Sequence, residues 1–174
     1  MNKNNIFLTG FMGAGKSTIG RRLARRIGYQ FIDLDELITA REGCSIPEIF
    51  SLRGEDYFRS CEAAVLAEQK SAVRVVFATG GGIVGRPENR DLMKQLGAVV
   101  YLRADWPTLA KRLAKSQGRP LADPQRGQDA IWRLWQSRLL WYEEADLVVD
   151  TDQMRVNDAV CQIMTRLGYE ESQS

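Results

Sequence analysis

Apolar and polar positions fall along the chain in blocks, and the block type switches repeatedly between a short unbroken apolar run and a longer helical period. Ile6–Thr9 is a run of the first kind and reads as a buried strand. Residues 17–27 set Ile19, Leu23, Ala24 and Ile27 at helical spacing, and Gly28 stops the pattern. Residues 29–33 read as a second strand and 34–41 as a short helix. Ser45-Ile46-Pro47-Glu48 has the spacing of a capping box, and Pro47 is tolerated in the first turn, where its missing N–H has no intrahelical partner. A helix is predicted to start at Ser45, pause near Gly54 and resume to about Gln69. Residues 73–78, 99–102 and 147–149 are apolar runs rich in β-branched residues, which predicts parallel strands buried on both faces. Helical patterns over 87–95, 106–116, 128–143 and Val156–Leu167 separate or follow them. Strands alternating with helices predict an α/β fold, a three-layer α/β/α domain on about five parallel strands.

Length and composition narrow the class. At 174 residues and 44% hydrophobic, the chain is expected to form a single domain, residues 1–174. Lys plus Arg is 24 against 22 for Asp plus Glu, a net charge of +2, so neither nucleic acid nor an acidic membrane is an expected partner. The apolar stretch near the amino terminus is too short for a membrane span and runs straight into a glycine-rich segment; a cytoplasmic monomer is expected. Cys44, Cys61 and Cys161 form no CxxC pair and there is no histidine, which removes a zinc set and points to thiols that pack. Without histidine, proton transfer falls to a carboxylate, another ionisable group or water.

The strongest chemical signal lies between the first strand and the first helix. Gly10-Phe11-Met12-Gly13-Ala14-Gly15-Lys16-Ser17 matches G-x-x-x-x-G-K-S in the required strand-loop-helix context. Gly10, Gly13, Ala14 and Gly15 supply a backbone path whose N–H groups converge on phosphate oxygens. Lys16 would bridge the β and γ phosphates of ATP, Ser17 would bind Mg2+ through its hydroxyl, and Thr18 would reach the α phosphate. The guanine-reading strings N-K-x-D and D-x-x-G are absent, so a guanine-nucleotide switch is excluded.

A second set of polar residues suggests an acceptor pocket. Asp33 and Asp35 are two apart, so an extended segment would project both to one side, Asp33 towards the metal and Asp35 as proton acceptor from the substrate hydroxyl. Gly80, Gly81 and Gly82 end a buried strand and would admit a small polar ligand against the backbone. Arg59 and Arg138 offer planar forks for a carboxylate, and Glu62 could orient one of them. Residues 117–128 hold two prolines, two glycines and two arginines and suit a mobile lid that delivers Arg119 to the transferred phosphoryl group. Trp106, Trp132, Trp135 and Trp141 read as packing residues.

In order along the chain, GFMGAGKSTIGRRLA, FIDLDELI, SIPEIF, GEDYFRSCE, TGGGIV, GRPL and SRLLWY together resemble the shikimate kinase family of small P-loop kinases, over about residues 6–167. The resemblance implies a fold like that of nucleoside monophosphate kinases with strand order 2-3-1-4-5, an acceptor-binding region at about 34–62, and transfer of the ATP γ-phosphoryl group to the 3-hydroxyl of shikimate. It implies Arg59 and Arg138 at the shikimate carboxylate, Asp35 and Gly81 at its ring hydroxyls, Arg119 on the lid, and Ser17 and Asp33 beside magnesium. Arg112 matches a position that stacks on adenine; the adjoining 150–155 loop, DTDQMR, departs from the asparagine- and arginine-containing form of some members, which leaves either Arg155 by a shift of register or the backbone alone to hold the base. Two other readings share Lys16 and the fold: a different small-molecule kinase, for gluconate or a nucleoside monophosphate, and a nucleotide-binding regulatory protein without chemistry.

Overall fold

The computed structural model describes residues 4–114 and 127–169. Its sheet has five strands: β1 (Ile6–Thr9), β2 (Gln30–Asp33), β3 (Val75–Ala78), β4 (Ala98–Arg103) and β5 (Leu147–Asp150), in the order β2-β3-β1-β4-β5. Every pairing is parallel. The helices are α1 (Lys16–Ile27), α2 (Leu34–Glu42), α3 (Ile46–Glu68), α4 (Pro87–Leu96), α5 (Trp106–Ala114), α6 (Gly127–Glu143) and α7 (Val156–Leu167). α1 and α7 pack on one another beside β1, β2 and β5, while α4 lies against β4 and touches α3. This is the three-layer arrangement that the alternating pattern predicts.

Burial follows position in the sheet. β1 and β3 are buried throughout and β4 nearly so, and Phe7 stacks on Phe77 at 4.7 Å between ring centroids. β2 and β5 depart from the expectation for parallel strands: β2 has no fully buried residue and β5 ends exposed, because each is an edge strand. β3 also begins two residues later than the apolar run. Val73 is 63% exposed, and Arg74 adopts φ 60, turning the chain before the sheet accepts it. The Arg74 N–H donates to the Asn4 carbonyl and its own carbonyl accepts from Gln30, so the turn is fixed by backbone partners that local pattern does not reveal.

The helix ends follow the sequence more closely. α1 buries Ile19, Leu23, Ala24 and Ile27 and ends on Gly28. α3 is capped by Ser45, whose N–H donates to Glu48 Oε2 at 2.7 Å while its hydroxyl accepts from the Glu48 N–H. The expected pause is present: Gly54 has φ 81 and ψ 174 inside an otherwise helical run. Of the expected 117–128 segment, residues 127 and 128 begin α6 and the rest lies outside the described residues.

One buried polar residue joins the sheet to its crossovers. Asn5 is 2% exposed; its side-chain amide donates to the carbonyls of Ala72 at 2.7 Å and Leu96 at 3.1 Å, and its oxygen accepts from the Val75 N–H at 3.1 Å. Its backbone carbonyl also accepts from Ala98. The starts of β3 and β4 are therefore both tied to the residue that precedes β1. Asn5→Ala would leave three backbone groups short of a partner and should cost about 3 kcal/mol, read as a lower urea midpoint at unchanged slope.

Candidate active site

The loop between β1 and α1 carries unusual backbone geometry where the sequence has glycine. Gly10 has φ 141 and an added Cβ would sit 2.7 Å from the Leu102 carbonyl oxygen, so both conformation and packing require glycine. Gly15, the residue before α1, has φ 95. The path brings the loop to the amino-terminal end of α1, whose unpaired N–H groups and dipole favour an anion. The Lys16 ammonium curls over the loop and donates to the carbonyls of Gly10 at 2.8 Å and Phe11 at 3.1 Å.

Asp33 links this loop to the next. The Ser17 hydroxyl donates to Asp33 Oδ2 at 2.7 Å, and Asp33 Oδ1 accepts from the Asp35 N–H at 3.1 Å. Asp33 is thus the N-cap of α2 as well as the partner of Ser17. The change from strand to helix falls where the pattern places it, with Asp33 ending β2 and Asp35 in the first turn of α2, so the expected projection of both carboxylates from an extended segment does not apply. The two carboxylates reach one cleft through a strand-to-helix corner, not through strand alternation.

That cleft has a volume of about 530 Å³. Gly13, Gly15, Lys16, Ser17 and Thr18 line it on one side, and Asp35, Arg59, Glu62, Gly80, Gly81, Gly82 and Arg138 on the other, with Asp33 at the junction. Gly10 and Ala14 stand behind the loop; Ala14 is buried and its N–H donates to the Phe11 carbonyl. Arg112 also lines the cleft and bridges the β1–α1 loop to the residue after β5, donating to the Gly13 carbonyl at 3.1 Å and the Thr151 carbonyl at 3.0 Å. Arg155 is not brought there. Its side chain is 87% exposed and pairs with Asp158 at 2.9 Å, because it caps α7 and finds a carboxylate in that helix's first turn. Arg119 lies outside the described residues.

The far wall is a buried network of charge. Arg59 donates to Glu62 at 2.6 Å and to Glu55 at 2.8 Å, and Glu62 is 2% exposed. Arg138, from α6, is also buried and donates to the Gly81 carbonyl at 3.2 Å; the Tyr142 hydroxyl donates to the same oxygen at 2.5 Å. Burial pushes the Glu62 carboxyl up to about 7 against the pull of Arg59, and the nearby Asp35 charge adds to the rise. Glu62 Oε1 is buried and accepts no hydrogen bond among the described residues.

Two of the three glycines create room for this network. A Cβ on Gly80 would lie 2.8 Å from Asp35 Oδ1 and closer still to Glu62 Oε1, and one on Gly82 would run into the Arg59 guanidinium. Only Gly81 has ordinary clearance, with Met12 N at 3.4 Å. The space attributed to a ligand at 80 and 82 is therefore occupied by side chains of the protein.

Other lining residues fall within the strings quoted from the sequence but carried no role of their own there. Ile46, Pro47, Phe50, Phe58 and Met12 form an apolar wall, and Thr79 joins the polar side. Ile46, Phe50 and Phe58 have the spacing of ordinary core positions in α3, so only the tertiary fold separates them from the core. Tyr142 falls at the end of the R-x-x-x-Y string, which marks it by motif, not by chemistry. The tryptophans stay out of the cleft: Trp106 and Trp135 pack at 5.9 Å between centroids and Trp141 lies beneath Arg90. Cys61 is buried and Cys44 half-buried, whereas Cys161 is exposed on α7 beside Arg26 and is not the packing group expected of it.

Comparison with known proteins agrees with this geometry. The family model described as shikimate kinase matches residues 12–168. The shikimate kinase of Geobacter metallireducens is 42% identical over 167 residues, covering 96% of this chain and 92% of the relative. That of Synechococcus elongatus is 46% identical over 147 residues, covering 84% and 77%. The structure of the Acinetobacter baumannii shikimate kinase in complex with shikimate superposes with a TM-score of 0.89 at 37% identity, covering 94% of this chain and 92% of that one.

Because Glu62 binds its proton more tightly folded than at its ordinary 4.5, the folded state holds more protons than the unfolded chain between about pH 4.5 and 7. Its contribution to stability therefore falls as pH rises through that window and is level above it. Glu62→Gln should remove this slope, so the wild-type-minus-variant difference in unfolding free energy should shift by about 3 kcal/mol across the window, measured by urea titrations at several pH values.

Proposed function

Because this chain belongs to the shikimate kinase family, matched over residues 12–168, we propose that the cleft between these elements holds the phosphoryl donor against α1 and the acceptor against α3 and α6. The protein is an ATP-dependent phosphotransferase that uses Mg2+ and phosphorylates shikimate at its 3-hydroxyl, giving shikimate 3-phosphate and ADP. The observation that carries the assignment of roles is that one cleft of about 530 Å³ is lined by the amino-terminal end of α1 on one side and by Asp35, Arg59 and Arg138 on the other.

On the donor side, the backbone at Gly10, Gly13, Ala14 and Gly15 shapes the phosphate cradle, Lys16 neutralises the terminal phosphates, and Thr18 supports the α phosphate. Arg112 faces the base. Ser17 and Asp33 fit the magnesium side: they offer hard oxygen donors already 2.7 Å apart, and the described residues hold no cluster of three or more acidic or thiol ligands. Such a site suits an ion that takes its remaining ligands from phosphate oxygens and water. Bound there, magnesium supplies charge neutralisation at the transferring group.

On the acceptor side, Arg59 and Arg138 grip the carboxylate, while Gly80 to Gly82 bring the backbone and its flanking side chains close to the ring. Asp35 accepts the proton of the attacking hydroxyl. The transition state of phosphoryl transfer is loose, so this division rests on positioning and charge more than on strong basicity. Arg119 completes the proposal from the sequence, as a cation delivered when residues 117–128 close over the site. Arg155 is assigned no contact, since Asp158 satisfies it.

No helix among the described residues is long and apolar enough to cross a membrane. A cytoplasmic monomer without a nucleic-acid partner belongs to the same reading; the three free cysteines support a reducing compartment.

Incubation with magnesium ATP and, separately, shikimate, gluconate and nucleoside monophosphates tests the assignment, with products identified by mass. Shikimate should gain one phosphoryl group and the others none. Asp35→Asn should lower turnover by roughly a hundredfold or more with ATP binding nearly unchanged; near-normal turnover would remove Asp35 from the proton transfer.

A further inference from the structure

α3 is broken at one residue, and the break decides what the acceptor meets. Gly54 has φ 81 and ψ 174, a region of backbone space open essentially to glycine alone. An added Cβ there would meet no atom within 4 Å, so the requirement for glycine is conformational and not steric. Before it, residues 46–53 contribute Ile46, Pro47 and Phe50 to the cleft; after it, residues 55–68 contribute Phe58, Arg59 and Glu62.

In an unbroken helix, Phe50 and Phe58 would be separated by about 12 Å along the axis, and both side chains would lean the same way, towards the amino terminus. Their ring centroids are 4.9 Å apart. The corner at Gly54 folds the first segment back on the second and closes that distance. Its outer side is tied as well: the Arg53 guanidinium donates to the Tyr57 hydroxyl at 2.7 Å and lies over the Tyr57 ring, and that hydroxyl donates to Glu42 of α2 at 2.9 Å. The corner is thus pinned on both sides. Glu55, the first residue beyond it, holds Arg59 at 2.8 Å.

We propose that Gly54 is a positioning residue for the acceptor: its left-handed backbone sets the angle that lays the apolar wall of Ile46, Pro47 and Phe50 across from the Arg59–Glu62 pair. It touches no reacting atom and acts through Phe50, Phe58 and Arg59. The inference rests on the assignment of the acceptor to this side of the cleft.

Wild-type turnover of shikimate is measured first and tests that assignment by itself; if another acceptor is the one turned over, its KM reads the corner equally well. Gly54→Ala should raise the acceptor KM roughly tenfold or more, with the KM for ATP unchanged. Loss of folded protein alone would lower kcat and leave both KM values in place, which would overturn the proposal, as would an equal rise in both. In a Phe50→Ala background the effect of Gly54→Ala on the acceptor KM should shrink, because the contact it serves is already gone; full additivity would also count against the proposal. Should Gly54→Ala not fold, Tyr57→Phe loosens the outer tie of the same corner and should raise the acceptor KM roughly threefold with ATP unaffected. An unchanged acceptor KM in that variant would overturn the proposal.

Discussion

The parallel pairing of β3 between β1 and β2 is the constraint on which the site depends. Leu8 and Asp33 both stand in register with Ala78, so the carboxyl ends of three strands finish on one row. Each strand then turns into a loop or helix carrying different chemistry: the phosphate loop after β1, the Asp33–Asp35 corner after β2 and the glycine triplet after β3. Residues some seventy positions apart converge because their strands stop together. Asn5 holds this row from the opposite end by joining the segments that lead into β3 and β4.

Convergence creates an electrostatic problem that the fold resolves locally. Two carboxylates and two guanidinium groups share the wall opposite the β1–α1 loop, and Glu62 and Arg138 are almost fully buried. Buried charges are costly unless they are paired and hydrogen-bonded. Arg59 pairs with Glu62 and Glu55, Arg138 donates to a backbone carbonyl, and Glu62 offsets part of the remaining cost by holding its proton more tightly. Gly80 and Gly82 are the packing condition for this arrangement, since a single methyl group at either would displace a charged side chain. The wall formed by the β1–α1 loop differs in kind. It is made largely of backbone, and its one ammonium rests on carbonyl oxygens of its own loop.

Much of the fold was legible because its signals are local. The P-loop string, the Ser45–Glu48 capping box, the stop at Gly28 and the pause at Gly54 each express a short-range rule of backbone geometry or end-group satisfaction. The strand order came instead from resemblance to a family, since apolar runs declare strands without saying which are neighbours. Where local reading went astray, a distant partner had intervened. Val73 fits a strand by composition but precedes the turn at Arg74, and the two-residue spacing of Asp33 and Asp35 suggested side chains projecting from one extended segment, whereas Asp33 caps the helix that carries Asp35. Arg155, which the resemblance made a candidate for the base, stands exposed and paired with Asp158, and lines no part of the cleft.

By itself, the sequence determined the kind of most elements among the described residues, the phosphate-binding loop, and the set of charged residues available for chemistry, because these depend on residue type and spacing over at most a few turns. Tertiary structure alone decided which of those residues share a cleft, that the glycine triplet makes room for protein side chains before any ligand, and that Phe50 and Phe58 form a wall across the corner of α3. The physical reason is that burial, pairing and clearance are properties of neighbours in space, and a linear pattern specifies neighbours only as far as the next turn of helix or the next residue of strand.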